Sequence, residues 1–169
     1  SRMNVPKMLR ACEQGRHWEE ACFLHVENEE FDSAVKCMMD HAEIAHEHAK
    51  FLDCVLKVRN QELYYQSISF YIEDHPLQLN KLLSVLTPKL DHARVVHQIR
   101  KTDNLPLVVP YLKSVQSENI SAVNEAVNEI LTDEEDYDAL RISIDEHDNF
   151  DQIALAQKLE KNELLELRR

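Results

Sequence analysis

At 169 residues, 44% of them apolar and 30% charged, the chain is large enough to bury a sizeable core and belongs with globular rather than disordered sequences. A single glycine, Gly15, argues against sheets joined by tight hairpins, whose turns need positive φ, and leaves an all-α fold. The formal charge of -12 excludes a nucleic-acid backbone as partner, because that surface needs clustered Lys and Arg, and no stretch reaches the ~18 apolar residues of a membrane span.

Asn4 is placed to cap a first helix, with Pro6 tolerated in its opening turn, Val5, Met8, Leu9 and Cys12 on one face, and Gly15 at its end. A second helix, about Trp18 to Asn28, presents Trp18, Ala21, Cys22 and His25 on one side and turns Phe23 and Val26 away. A third, about Glu30 to His41, repeats the pattern with Phe31, Ala34, Val35 and Met38. The fourth is expected from His46 to Val58, with Phe51, Leu52, Val55 and Leu56 inward.

The stretch Gln61–Arg94 reads as two amphipathic helices joined at His75-Pro76, a break at Thr87-Pro88, and the entry into a further helix. Tyr64, Ile68, Tyr71 and Ile72 form one stripe, whereas Leu63 and Phe70 lie on another side of the cylinder. A helix apolar on two sides needs neighbours on two sides, as in the middle of a stack. Tyr65, rotated by about 100° from Tyr64, is expected to be partly exposed.

Asp91 is placed to cap a helix reaching Lys101. Asn104 opens another through Gln116, with Val108, Tyr111, Leu112 and Val115 inward; Pro106 and Pro110 cannot both fit its first turn, so its start should be ragged. From Ile120 to Leu131 a stripe of Ile120, Val123, Val127, Ile130 and Leu131 opposes Asn124, Glu125, Asn128 and Glu129, which suggests a one-sided, peripheral helix. Thr132 and Glu135 fit a capping box for a helix with Tyr137, Leu140 and Ile144 inward. Two more helices are expected, from about Asn149 to Leu159 and from Asn162 to the end.

Pairing these segments gives hairpins that recur about every 26 to 31 residues, which is the mark of an α-α superhelix, or α-solenoid, of about six stacked hairpins and roughly 11–12 helices. The whole of 1–169 is read as one such solenoid. Its ends, Ser1-Arg2 and Arg168-Arg169, carry no capping logic and suggest a segment of something longer.

Chemistry is sparse. The cysteines at 12, 22, 37 and 54 show no C-x-x-C pairing and lie beside apolar stripes, so they are expected to be reduced in a cytosolic setting. His41, His46 and His48 are the densest histidine cluster. Their spacings never place a pair at i, i+4, and no cysteine completes a tetrahedral set, so a zinc enzyme or zinc site is a weak alternative and no metal or other cofactor is expected. The acids at 133–136 read as a helix N-terminus, and the acidic loop Asp145, Glu146 and Asp148 lacks calcium-loop spacing. No phosphate-binding loop, G-x-S-x-G or H-E-x-x-H motif is present, so no enzyme is expected.

The runs ELYYQSISFYIEDHPLQLNKLLSVLTPKLDHARVV, LPLVVPYLKSVQ, VNEAVNEI and EEDYDALRISIDEHDNFDQIALAQKLEKNELLELRR resemble the clathrin heavy chain family in the proximal part of its leg. The opening SRMNVPKMLRACEQGRHWEEACFLHVENEEFDSAVKCMMDH is similar more loosely. Departures include Lys81 after Asn80 and Lys89 after Pro88. The resemblance implies a stiff leg of helical hairpins in a vesicle coat, partnered by the clathrin light chain and by other heavy chains of the lattice. It also implies a cytoplasmic setting on the cytosolic face of coated pits and vesicles, with no membrane insertion, and an isolated segment that is monomeric or weakly self-associating. A clathrin-repeat solenoid of a vesicle-tethering or sorting subunit is the alternative. Candidate partner contacts are Tyr65, Lys89, Arg94, Lys101 and Lys113.

Overall fold

The structure, a computed structural model, describes residues 4–167, with side chains as far as Glu163; Ser1-Arg2 and Arg168-Arg169, on which the expectation about the chain ends rested, lie outside the described residues. The described residues are helical, joined by short turns and 3-10 segments. The chain forms two compact units, residues 1–86 and 87–169.

In the first unit the helices are α1 (Val5–Gln14), α2 (Trp18–Glu27), α3 (Phe31–Asp40), α4 (Ala42–Ala45), α5 (His48–Val55), α6 (Glu62–Asp74) and α7 (Leu79–Leu86). Asn4 Oδ1 accepts from the Lys7 backbone N–H, which is the expected cap of α1. The fourth helix starts later than the sequence suggests: His46 and Glu47 are extended, and one turn, α4, precedes them. The Pro76 joint opens as a 3-10 turn, Pro76–Gln78, as does the break at Thr87–Lys89. α6 packs on α3 and on α7 and buries Leu63, Tyr64, Ser67, Ile68 and Tyr71, which fits its two apolar sides. Phe23, turned away as expected, is 62% exposed.

The second unit holds α8 (His92–Lys101), α9 (Val109–Val115), α10 (Ser121–Asp133), α11 (Tyr137–Glu146) and α12 (Gln152–Leu167). Asp91 Oδ1 caps α8 by accepting from the Arg94 N–H. The segment opened by Asn104 starts raggedly, as the two prolines require: a 3-10 stretch, Leu105–Val108, carries Pro106, and Pro110 then falls in the first turn of α9.

Four expectations in this unit are corrected. α10 is not peripheral: it packs on α8, α9 and α11, and Asn124, Asn128 and Thr132 are as buried as its apolar residues. The Thr132–Glu135 capping box does not form, because Thr132 is still inside α10 and its Oγ1 donates to the Asn128 carbonyl at 2.6 Å, while Asp136 caps α11 by accepting from the Ala139 N–H. Tyr137 is exposed, and Leu140 with Ser143 forms the buried face of α11. The two final helices are one, since neither a proline nor a glycine interrupts residues 152–167.

The repeat spacing appears directly in the hydrogen bonds. The Asp32 carboxylate accepts from the N–H groups of Arg59 and Asn60, 27 and 28 residues on. In the second unit Gln116 Nε2 donates to Ser143 Oγ, 27 residues on, and Asn119 Nδ2 to Asp148 Oδ1, 29 on. Side chains one hairpin period apart therefore meet, as in a stack of helical hairpins within each unit.

Candidate interaction surface

The basic candidates all fall in the second unit. Lys89 lies in the 3-10 turn before α8, Arg94 in the first turn of α8, Lys101 at its end, and Lys113 on α9. All four are exposed. Arg94 and Lys101 stand seven residues apart, hence on one face of α8, and His97 between them is exposed as well. Arg100, which the sequence reading passed over, forms an ion pair with Glu129 of α10 across one repeat period. α8 thus carries exposed basic side chains on one face and, on another, an arginine that ties two repeats.

Tyr65 is corrected. It is 9% exposed, so it packs in the core beside Leu63 and Tyr64 instead of presenting a surface anchor. A 100° rotation from an inward residue predicts exposure only when one face of a helix is covered, and α6 is covered on two.

A surface cleft of about 740 Å³ lies among α2, α3, α4 and α5 of the first unit. Cys22, Met38 and Cys54 are among its buried lining, and Phe23 and Ile44 are exposed beside it. Its rim is mostly acidic, with Glu19, Glu20, Glu27, Glu47 and Asp53 against Lys50 and Lys57. Lys50 pairs with Glu47 at 3.1 Å, and Lys57 lies 5.0 Å from the Phe31 ring centroid.

The histidines regroup. His41 leaves the sequence cluster to stack on Trp18, with ring centroids 3.6 Å apart. His46 and His48 instead converge on the Tyr71 hydroxyl, joined by His75. Among the described residues no group of three or more His, Cys, Asp or Glu side chains is arranged to hold a metal ion. The four cysteines are free thiols, with Cys22 and Cys54 buried.

A polar seam runs through the second unit. Gln116 Nε2 donates to Ser143 Oγ at 3.2 Å, and Ser143 Oγ donates to Asn128 Oδ1 at 3.3 Å. Nearby, Asn124 Nδ2 donates to Asn119 Oδ1 and to the Asn149 carbonyl, and Asn149 donates back to the Asn119 carbonyl. Most of these buried groups are bonded, while Asn124 Oδ1 and Asn128 Nδ2 find no partner, and the bonds tie α10 to α11 and to the turns that flank the two helices.

Helical hairpins bonded to their successors at a fixed period, with exposed polar faces, define an α-helical repeat protein. The sequence matches the family model for the region found in clathrin and VPS proteins over residues 1–79 and again over 83–169. It is similar over its full length to clathrin heavy chain 1 of Arabidopsis thaliana (54% identical) and to the clathrin heavy chains of Drosophila melanogaster (56%) and Dictyostelium discoideum (50%). All of this chain is covered in each case and 10% of each relative, so the chain spans about a tenth of the length of those relatives. The chain belongs to the family of this clathrin and VPS region.

Proposed function

We propose that residues 1–169 are one α-solenoid segment of a clathrin heavy-chain leg, which transmits load in a vesicle coat on the cytosolic face of membranes and contributes to lattice assembly and light-chain binding. The observation that carries this reading is the collinear identity of 50–56% to heavy chains across the whole chain. The family model by itself covers VPS proteins as well, and supports the sorting or tethering alternative equally.

Physically, bending a rod of stacked hairpins must open apolar contacts across its section, so stacking gives stiffness. Lateral contacts in a lattice that must come apart should each be weak, about 0–1 kcal/mol for exposed ion pairs. Lys89, Arg94, Lys101 and Lys113 suit that role, meeting acidic segments of a light chain or a neighbouring leg. Tyr65 contributes to the leg by packing.

The test is co-assembly of a full-length heavy chain that contains this segment, with a light-chain pull-down alongside. Cage formation and light-chain capture are expected, each reduced less than tenfold by Arg94→Glu or Lys101→Glu. A full-length chain that neither forms cages nor captures a light chain would transfer the segment to the sorting or tethering reading.

A further inference from the structure

Three imidazoles and one phenol meet where the start of α5 meets the end of α6, and stacking of repeats has no use for their chemistry. His46 lies in the extended link before α5, His48 opens α5, and His75 ends α6. Tyr71 Oη stands 3.1 Å from His46 Nε2 and 2.7 Å from His48 Nδ1, reaching back 25 and 23 residues. The His75 ring stacks on His46, with centroids 4.4 Å apart and planes at 21°. Phe51 and Phe70 enclose the group, each 5.3 Å from the His46 ring, and Tyr71 is fully buried.

A phenolic hydroxyl has one proton, so Tyr71 donates to one imidazole nitrogen and accepts an N–H from the other. The ring that accepts must be neutral. Protonating it leaves a buried hydroxyl proton facing a cation, and protonating His46 and His75 together stacks two positive rings. Among the charged groups around the cluster, Asp74 of α6 favours a positive His46, whereas His48 and His75 oppose it. His75 and Lys81 of α7 oppose a positive His48. The Glu47–Lys50 pair lies on the exposed side of the same link.

We propose that His46, His48, His75 and Tyr71 form an acid-responsive latch, which fastens the start of α5 to α6 while the imidazoles are uncharged and releases it when they take up protons. Burial first, then His75 and His48, hold His46 down to about 4, and burial lowers His48. In the unfolded chain these rings titrate near ~6.5. Between that pH and about 4 the unfolded state binds more protons than the folded one, so the latch contributes fully above ~6.5 and is lost progressively as the pH falls towards about 4.

The test is amide hydrogen exchange of the full chain at about pH 7 and about pH 5, corrected for intrinsic rates, together with an NMR titration of the imidazoles. Protection in α5 and α6 should fall more than protection in α10, and the H46Q/H48Q double variant should lose that excess. If the double variant does not fold, H75Q keeps the bridge to Tyr71 and should raise the His46 midpoint. A wild-type His46 titrating near ~6.5, an equal fall in α6 and α10, or an H75Q midpoint unchanged from wild type overturns the latch.

Discussion

Asp103 and Glu135 each adopt φ of 58°, in the left-handed region where the Cβ crowds the following carbonyl. Arg16 and Glu29 lie in the same region, at 58° and 57°, and each of the four closes a helix: the next residue's N–H reaches back five positions, as from His17 to Cys12, Glu30 to His25, Asn104 to Ile99 and Asp136 to Leu131. Glycine usually takes this place, yet Gly15 lies just before it, at φ -83°. Glycine scarcity therefore excluded hairpin sheets correctly, but the turns do not avoid positive φ; they place polar side chains there. Asp103→Gly and Glu135→Gly should each raise stability by about 1 kcal/mol, read as a higher urea midpoint at unchanged slope. Asp136→Ala should instead cost about 1 kcal/mol by removing the cap of α11. Thr132, which the sequence suggested for that role, caps nothing.

At the scale of elements, α10 and α6 show what a helical stripe tells and what it omits. The apolar stripe of α10 is real, with Val123, Val127, Ile130 and Leu131 buried. Its polar side reads as a solvent face, but Asn124 is 0% exposed, its amide donating to Asn119 Oδ1 in the turn before α10 and to the Asn149 carbonyl in the loop before α12. Asn128→Ala should destabilise by about 1–3 kcal/mol, since it strips the acceptor from buried Ser143. Ser143→Ala made in that background should cost less than in the wild type, and a double-mutant cycle of denaturant midpoints measures the coupling. A sequence signal for this existed: asparagine carries no charge, so Asn124 and Asn128 are far cheaper to bury than Glu125 and Glu129 beside them. In α7 the expectation is simpler. Leu83, fully buried, should cost about 2–5 kcal/mol on truncation to Ala.

For the whole molecule the dominant quantity is the charge of -12. Its self-repulsion opposes compaction, so raising ionic strength from about 0.01 M to about 0.15 M should raise the unfolding midpoint as the Debye length shrinks from ~30 Å to ~8 Å. A falling midpoint would mean that specific pairs such as Arg100–Glu129 and Lys158–Asp133 outweigh the repulsion. Either outcome bears on the coat reading, because exposed acidic legs approach one another more readily when screened.

The order of helices and turns was legible in the chain because it is written locally. Asn4, Asp91 and the prolines at 76, 88, 106 and 110 act on their immediate neighbours, and the apolar spacing of each helix is fixed by 3.6 residues per turn. What lies on either side of a helix is not local. Whether Tyr65 meets water, whether Asn124 and Asn128 are buried, and which histidines gather around Tyr71 depend on residues one repeat period away, and periodicity within a helix holds no record of them. The sequence alone determined an all-α chain of recurring hairpins; only the packing of one hairpin on the next decided which polar groups became its joints.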